Sequence, residues 1–190
     1  MFDLERWKDN FKNHIATLTD YGDIKVLDFK NPKSSIYRMR FLFEADYCRL
    51  HISGDLGELI ATNYYNMTYE KFSDFSNNIG YFMQKIECHS RPLYYFDEKI
   101  AKEDLKKFLE EHDIPDYEID DITDCIMFDF SLETGLGSQG LHELSEAVLD
   151  EVWDFAKDMG RRETGILDVY MLAFNLAKKQ IDGKEKSEEK

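Results

Sequence analysis

Hydrophobic positions recur along this chain with two different periods, and the change of period predicts its elements. Leu4, Trp7, Phe11, Ile15 and Leu18 stand three or four residues apart, which predicts an amphipathic helix from about Asp3 to Thr19, stopped by Asp20-Tyr21-Gly22. DIKVLDF (Asp23–Phe29) predicts a short strand and NPKSS a loop. Next, Tyr37, Met39, Phe41 and Phe43 alternate with Arg38, Arg40 and Leu42, and Cys48, Leu50 and Ile52 alternate with Arg49 and His51. Period two puts the first set of each run on a core face. With EAD and GDLG as tight turns, the stretch reads as an antiparallel β-meander of three to four strands. Its outer face then carries Arg38, Arg40, Arg49 and His51.

From Thr68 the period becomes helical. Lys71, Phe72 and Phe75 predict one short helix, and Ile79, Phe82, Met83 and Ile86 another. DEKIAKEDLKKFLEEH predicts a helix capped by Asp97, with Ile100, Leu105, Phe108 and Leu109 inward. SQGLHELSEAVLDEVWDFAKDMG predicts another, capped by Ser138 and stopped by Gly160. TGILDVYMLAFNLAKKQI is apolar nearly all round, so it should lie at the centre of the core. A meander followed by helices predicts an α+β fold, with helices on one face of the sheet and a helical C-terminal half. Residues 1–182 read as one domain and 183–190 as a disordered charged tail.

The 43% hydrophobic content, with 14 Phe and 11 Tyr, is enough to build a core. No stretch approaches the ~20 apolar residues of a membrane span, and the N-terminal residues lack a secretory pattern. Cys48, Cys88 and Cys125 are widely spaced and form no CxxC, which predicts a reduced, cytoplasmic protein.

Charge is distributed unevenly. The net charge is −15, yet residues 1–107 hold 16 basic and 17 acidic groups, and residues 157–190 hold 8 basic and 7 acidic ones. Residues 108–156 hold 15 acidic groups and no Lys or Arg. This block repels duplex nucleic acid and attracts a basic protein surface.

Several chemistries compete for these residues. Asp116, Glu118 and Asp120 alternate like calcium ligands, but an EF-hand loop would need Gly and Glu where Asp121 and Met127 stand. His51, Asp55 and Glu58, around one hairpin, form a candidate catalytic set for a metal-dependent nuclease, against the plainer reading of a turn. Adjacent Cys88 and His89 make no productive dyad. No GxSxG, P-loop or GxGxxG is present, and no cofactor is implied. The basic sheet face could hold single strands, or could pair with carboxylates of the chain itself.

In the acidic block, Ile119, Ile122, Ile126 and Phe130 follow i, i+3, i+7, i+11. They predict a helix from about Asp116 to Leu132 that buries them and turns its carboxylates outward. Like charges on one helix face repel by roughly 0.2–0.5 kcal/mol per i,i+4 pair, and solubility alone does not demand complete exclusion of Lys and Arg. Glu110, Glu111, Asp113, Asp116, Glu118, Asp120, Asp121 and Asp124 are therefore the candidate partner-binding residues, with a basic nucleic-acid-binding groove as the complement.

HISGDLGE after a strand, YFMQKIEC, and the closing YMLAFNLAKKQ resemble small proteins encoded by bacteriophages and prophages of Firmicutes. Some proteins of that kind are anti-CRISPR inhibitors of the type II RNA-guided nuclease. The resemblance covers about half the chain and implies a role in an infected bacterial cell. The expected partner is then the CRISPR-associated nuclease or its guide-RNA complex, whose channel is basic. SGDLGE transfers no catalytic residue.

Overall fold

A computed structural model describes residues 4–148 and 151–188, with side chains up to residue 184. The elements run in the order α1 (Leu4–Phe11), β1 (Ile15–Asp20), β2 (Ile24–Lys30), β3 (Met39–Glu44), β4 (Arg49–Gly54) and β5 (Leu59–Thr62). A 3₁₀ turn (Phe72–Asn77), α2 (Ile79–Met83), β6 (Ile86–His89) and β7 (Tyr94–Phe96) follow. The rest are α3 (Glu98–Glu111), α4 (Asp116–Met127), β8 (Phe130–Ser131), β9 (Gly135–Leu136), α5 (Ser138–Val148), α6 (Trp153–Ala156), β10 (Arg161–Glu163) and α7 (Ile166–Glu188). The fold is α+β.

The chain divides into two compact units: residues 1–93 with 165–190, and residues 94–164. The first is built on a six-stranded antiparallel sheet in the order β1-β2-β3-β4-β5-β6. Alternation holds across it. Leu27, Phe29, Met39, Phe41, Phe43, Leu50, Ile52, Leu59 and Ala61 are all buried on one face. On that face lies α7, whose Phe174 ring meets Phe72 at 4.9 Å, Phe41 at 5.5 Å and Phe43 at 5.8 Å, each edge to face. The predicted central place of this helix is borne out: Leu167, Val169, Tyr170, Met171, Ala173, Phe174, Ala177 and Ile181 are buried. Its backbone stays helical to Glu188, over most of the stretch expected as a tail; residues 189–190 lie outside the described residues.

The sheet has six strands where three to four were expected. The first helix ends at Phe11 rather than Thr19, and Ile15–Asp20 is a strand paired with β2, Ala16 opposite Phe29 and Leu18 opposite Leu27. The helical spacing misleads because a turn at Lys12–Asn13 intervenes, closed by the His14 N–H on the Phe11 carbonyl. Beyond the turn, β-branched Ile15, Thr17 and Thr19 favour an extended chain. Ile86, expected on a helix, begins β6; Ala61 of β5 faces Ile86 across an irregular register.

His14 is buried, its ring against Phe11 and Phe29. Nε2 lies 3.1 Å from the Tyr37 carbonyl and so carries the proton, while Nδ1 has no partner. Desolvation pushes its pKa below the ordinary 6.5. At pH 7 neither state is much protonated there. As pH falls through 6.5, the unfolded chain takes up the proton first, so stability is lost between 6.5 and the lower folded value. Urea unfolding at pH 7.5, 6.5 and 5.5, about one unit either side of the ordinary value, should show this decline, and His14→Gln should flatten it. Equal slopes for the two proteins would refute the assignment.

Candidate functional site

The second unit has its own core, with Leu105 and Leu109 of α3, Ile119, Ile126 and Met127 of α4, and Leu144 of α5 buried together with Val152 and Met159. Asp97 caps α3 as expected, accepting from the Ile100 N–H at 3.0 Å. Ser138 does not cap α5. That role falls to Asp129, whose Oδ2 accepts from the N–H groups of Gln139 (2.8 Å) and Gly140 (3.0 Å). One acidic residue of the block thus serves the helix terminus rather than any partner. The helix expected over 138–159 is broken: Glu151 and Val152 are non-helical before α6, and 149–150 lie outside the described residues.

The unit holds 7 basic and 21 acidic groups, a net of −14, against 17 and 18 in the first unit, a net of −1. At its centre α4 is helical from Asp116, with Ile119 and Ile126 buried and Ile122 half-buried as the periodicity predicts. It stops at Met127 instead of Leu132, and Phe130 enters the β8–β9 hairpin. A helical Asp116–Met127 also rules out a calcium loop over the same residues.

All eight predicted carboxylates are exposed: Glu110 and Glu111 at the end of α3, Asp113 in the connection, and Asp116, Glu118, Asp120, Asp121 and Asp124 on α4. Two are paired within the unit. Lys106 Nζ reaches Asp120 at 2.5 Å and Lys107 Nζ reaches Glu111 at 3.7 Å. The hydrogen bond to Asp120 raises the Lys106 pKa, and the charges of Asp124 and Glu110 add to it. The other six make no ion pair among the described residues. Glu118 accepts a hydrogen bond from Tyr117, which raises the phenol's pKa.

Sequence reading missed the aromatics on this face. Tyr117, Asp121, Asp124 and Phe128 follow i, i+4, i+7, i+11 and share the outer side of the helix and its cap. Tyr117 is 80% exposed and Phe128 87%. The spacing was available in the sequence, but the buried isoleucine stripe drew the periodicity to itself.

The alternative catalytic set is not gathered into a site. His51 Nε2 sits 2.9 Å from Glu44 Oε2. Asp55 accepts from Arg38 Nε at 3.2 Å and from its backbone N–H at 3.3 Å. Glu58 is exposed, its backbone N–H donating to Ser90 Oγ at 2.7 Å. Among the described residues no group of three or more His, Cys, Asp or Glu side chains could hold a metal ion. SGDLGE instead builds a turn. Gly54 has φ +148°, and a Cβ there would lie 2.1 Å from the Arg38 carbonyl oxygen. Tyr170 donates to the Leu56 carbonyl at 3.0 Å, tying the turn to α7; burial pushes its phenol pKa up to about 12.

The basic sheet face is largely neutralised. Arg40 forks onto Asp28 at 2.8 and 3.0 Å, Arg38 pairs with Asp55, and His51 meets Glu44. Arg49 alone of that group makes no ion pair among the described residues. Among those residues no helix is long and apolar enough to cross a membrane. No family model matches the chain, and no curated protein or solved structure matches it.

Proposed function

We propose that the chain is a non-enzymatic inhibitor that docks the acidic face of α3 and α4 on a basic nucleic-acid-binding groove. The groove of the type II CRISPR RNA-guided nuclease is the one the SGDLGE resemblance implies. The observation that carries the reading is the outer face of α4, where exposed Tyr117 and Phe128 bracket the unpaired carboxylates of Asp121 and Asp124. Carboxylates alone serve solubility. Aromatics held in water beside them do not, and they are the residue type that anchors protein interfaces and stacks on arginine.

Asp121→Lys with Asp124→Lys is the cleaner reversal, since it leaves the Asp120–Lys106 pair in place. Binding to the nuclease at low salt should fall about a hundredfold, mostly in association rate, with the circular dichroism spectrum unchanged. Added salt should weaken the unaltered protein steeply, and EDTA should leave inhibition untouched. Full inhibition by the double variant would place the docking surface elsewhere.

A further inference from the structure

At the end of the sheet where β3 turns into β4, Tyr47 and Tyr64 line one cleft, Tyr65 follows Tyr64 in the chain, and the ring of Tyr81 lies under the lining residue Lys85. Tyr64 is 97% exposed, Tyr65 69%, Tyr47 67% and Tyr81 38%. Backbone hydrogen bonds assemble the place. The Asn63 N–H donates to Cys48 O at 3.0 Å, and the Thr62 N–H donates to Lys85 O at 2.9 Å. These bonds join the β3–β4 turn, the end of β5 and the start of β6. The resulting cleft, of about 430 Å³, is lined by Tyr47, Thr62, Asn63, Tyr64, Gln84 and Lys85, with Glu87 as the single carboxylate among its lining residues.

Each of three cations lies over a tyrosine ring. Lys71 Nζ is 3.8 Å from the Tyr65 centroid, Lys85 Nζ 4.5 Å from that of Tyr81, and the Arg49 guanidinium 5.8 Å from that of Tyr47. None of the three makes an ion pair among the described residues. Arg49 faces Glu44 directly across the strand pair, yet Glu44 turns to His51, and Arg49 Nε is buried with no partner. The arginines toward the other end of β3 are matched by Asp28 and Asp55. Free cations beside flat, water-exposed rings suit a ligand that repeats a phosphate and a planar apolar face.

We propose that this cleft binds a short single strand of nucleic acid, with bases stacked on Tyr47 and Tyr64 and phosphates held by Arg49 and Lys85. A duplex hides its base faces and cannot use the rings. The first unit, with a net charge of −1, does not repel the strand as the second unit would. Asn63 and Gln84 offer amide groups to base edges. The inference goes beyond the docking reading and stands independently of the acidic face.

The test is fluorescence anisotropy with the full chain, using a labelled mixed-sequence single strand of about ten nucleotides, as RNA and as DNA, and the matching duplex, in about 50 mM NaCl. Saturable binding of the single strand is expected, with the duplex weaker by about tenfold or more. Tyr47→Ala with Tyr64→Ala should weaken the single strand by about tenfold or more, while Tyr64→Phe retains it. Arg49→Gln and Lys85→Gln should each lower the slope of log affinity against log salt by about 0.7. Because Tyr64 is nearly fully exposed, Tyr64→Ala should unfold at the same temperature as the parent. No binding of the single strand, equal affinity for the duplex, or undiminished binding by the tyrosine double variant would overturn the proposal. So would a protein partner that needs Tyr64 in the absence of any oligonucleotide binding. Asp121→Lys with Asp124→Lys should leave the dependence on Tyr64 intact, so failure here is distinguishable from failure of the docking reading.

Discussion

Phe174→Ala is expected to cost about 3–5 kcal/mol of stability. The ring is fully buried and meets Phe41, Phe43, Tyr69 and Phe72 edge to face, so its removal opens a cavity that four neighbouring rings cannot all fill. Those rings come from β3, from the segment after β5 and from the 3₁₀ turn, and Phe174 itself lies on α7. The loss therefore falls on the contact of α7 with the sheet. Urea titration should show a lower midpoint with an unchanged slope. Phe128→Ala is the control: this ring is 87% exposed, and its truncation should alter stability by no more than about 0.5 kcal/mol. A Phe174→Ala cost near the Phe128 value would mean that α7 does not pack as described.

Gly54→Ala should be nearly as damaging, at about 3–5 kcal/mol, which for a chain of this size lowers the melting temperature by about 10 °C. Two effects combine. The new methyl group would sit 2.1 Å from the Arg38 carbonyl oxygen and 3.0 Å from its carbon, and backbone cannot retreat as a side-chain tip can. The φ of +148° is also one that an L-residue rarely adopts. Gly80→Ala, in α2 with nothing within 4 Å of a new Cβ, should be neutral or slightly stabilising. If both variants melt alike, the SGDLGE turn is not built as described, and Asp55 and Glu58 regain interest as functional groups.

Two patterns were legible in the sequence: the nearly all-round apolar surface of α7, and elements buried on one side only. Met39, Phe41 and Phe43 alternate cleanly because their neighbours face water, so β3 and its partners could be read directly. The same holds for the isoleucine stripe of α4. Local periodicity failed where a turn fell between apolar residues. Phe11 and Ile15 are spaced like one helix yet belong to a helix and a strand, and only the pairing of Ala16 with Phe29 decides it. Caps supplied from a distance were illegible too, since Asp129 lies nine residues before the Ser138 it displaces. The outward acids were readable because they crowd one short stretch of the chain, residues 110–124. The tyrosine cleft was not, because Tyr47, Tyr64 and Lys85 come from three separate connections that meet only through strand register.

A chain whose excess negative charge resides almost wholly in residues 94–164 does not meet a polycation in random orientation. The field exerts a torque before contact, turning the charged portion forward, so a larger fraction of collisions arrive correctly posed. That guidance reaches only about 10 Å in 0.1 M salt. Raising the ionic strength should therefore slow arrival well before it shortens the lifetime of the complex, and the ratio of those two responses measures how much of the encounter is steered.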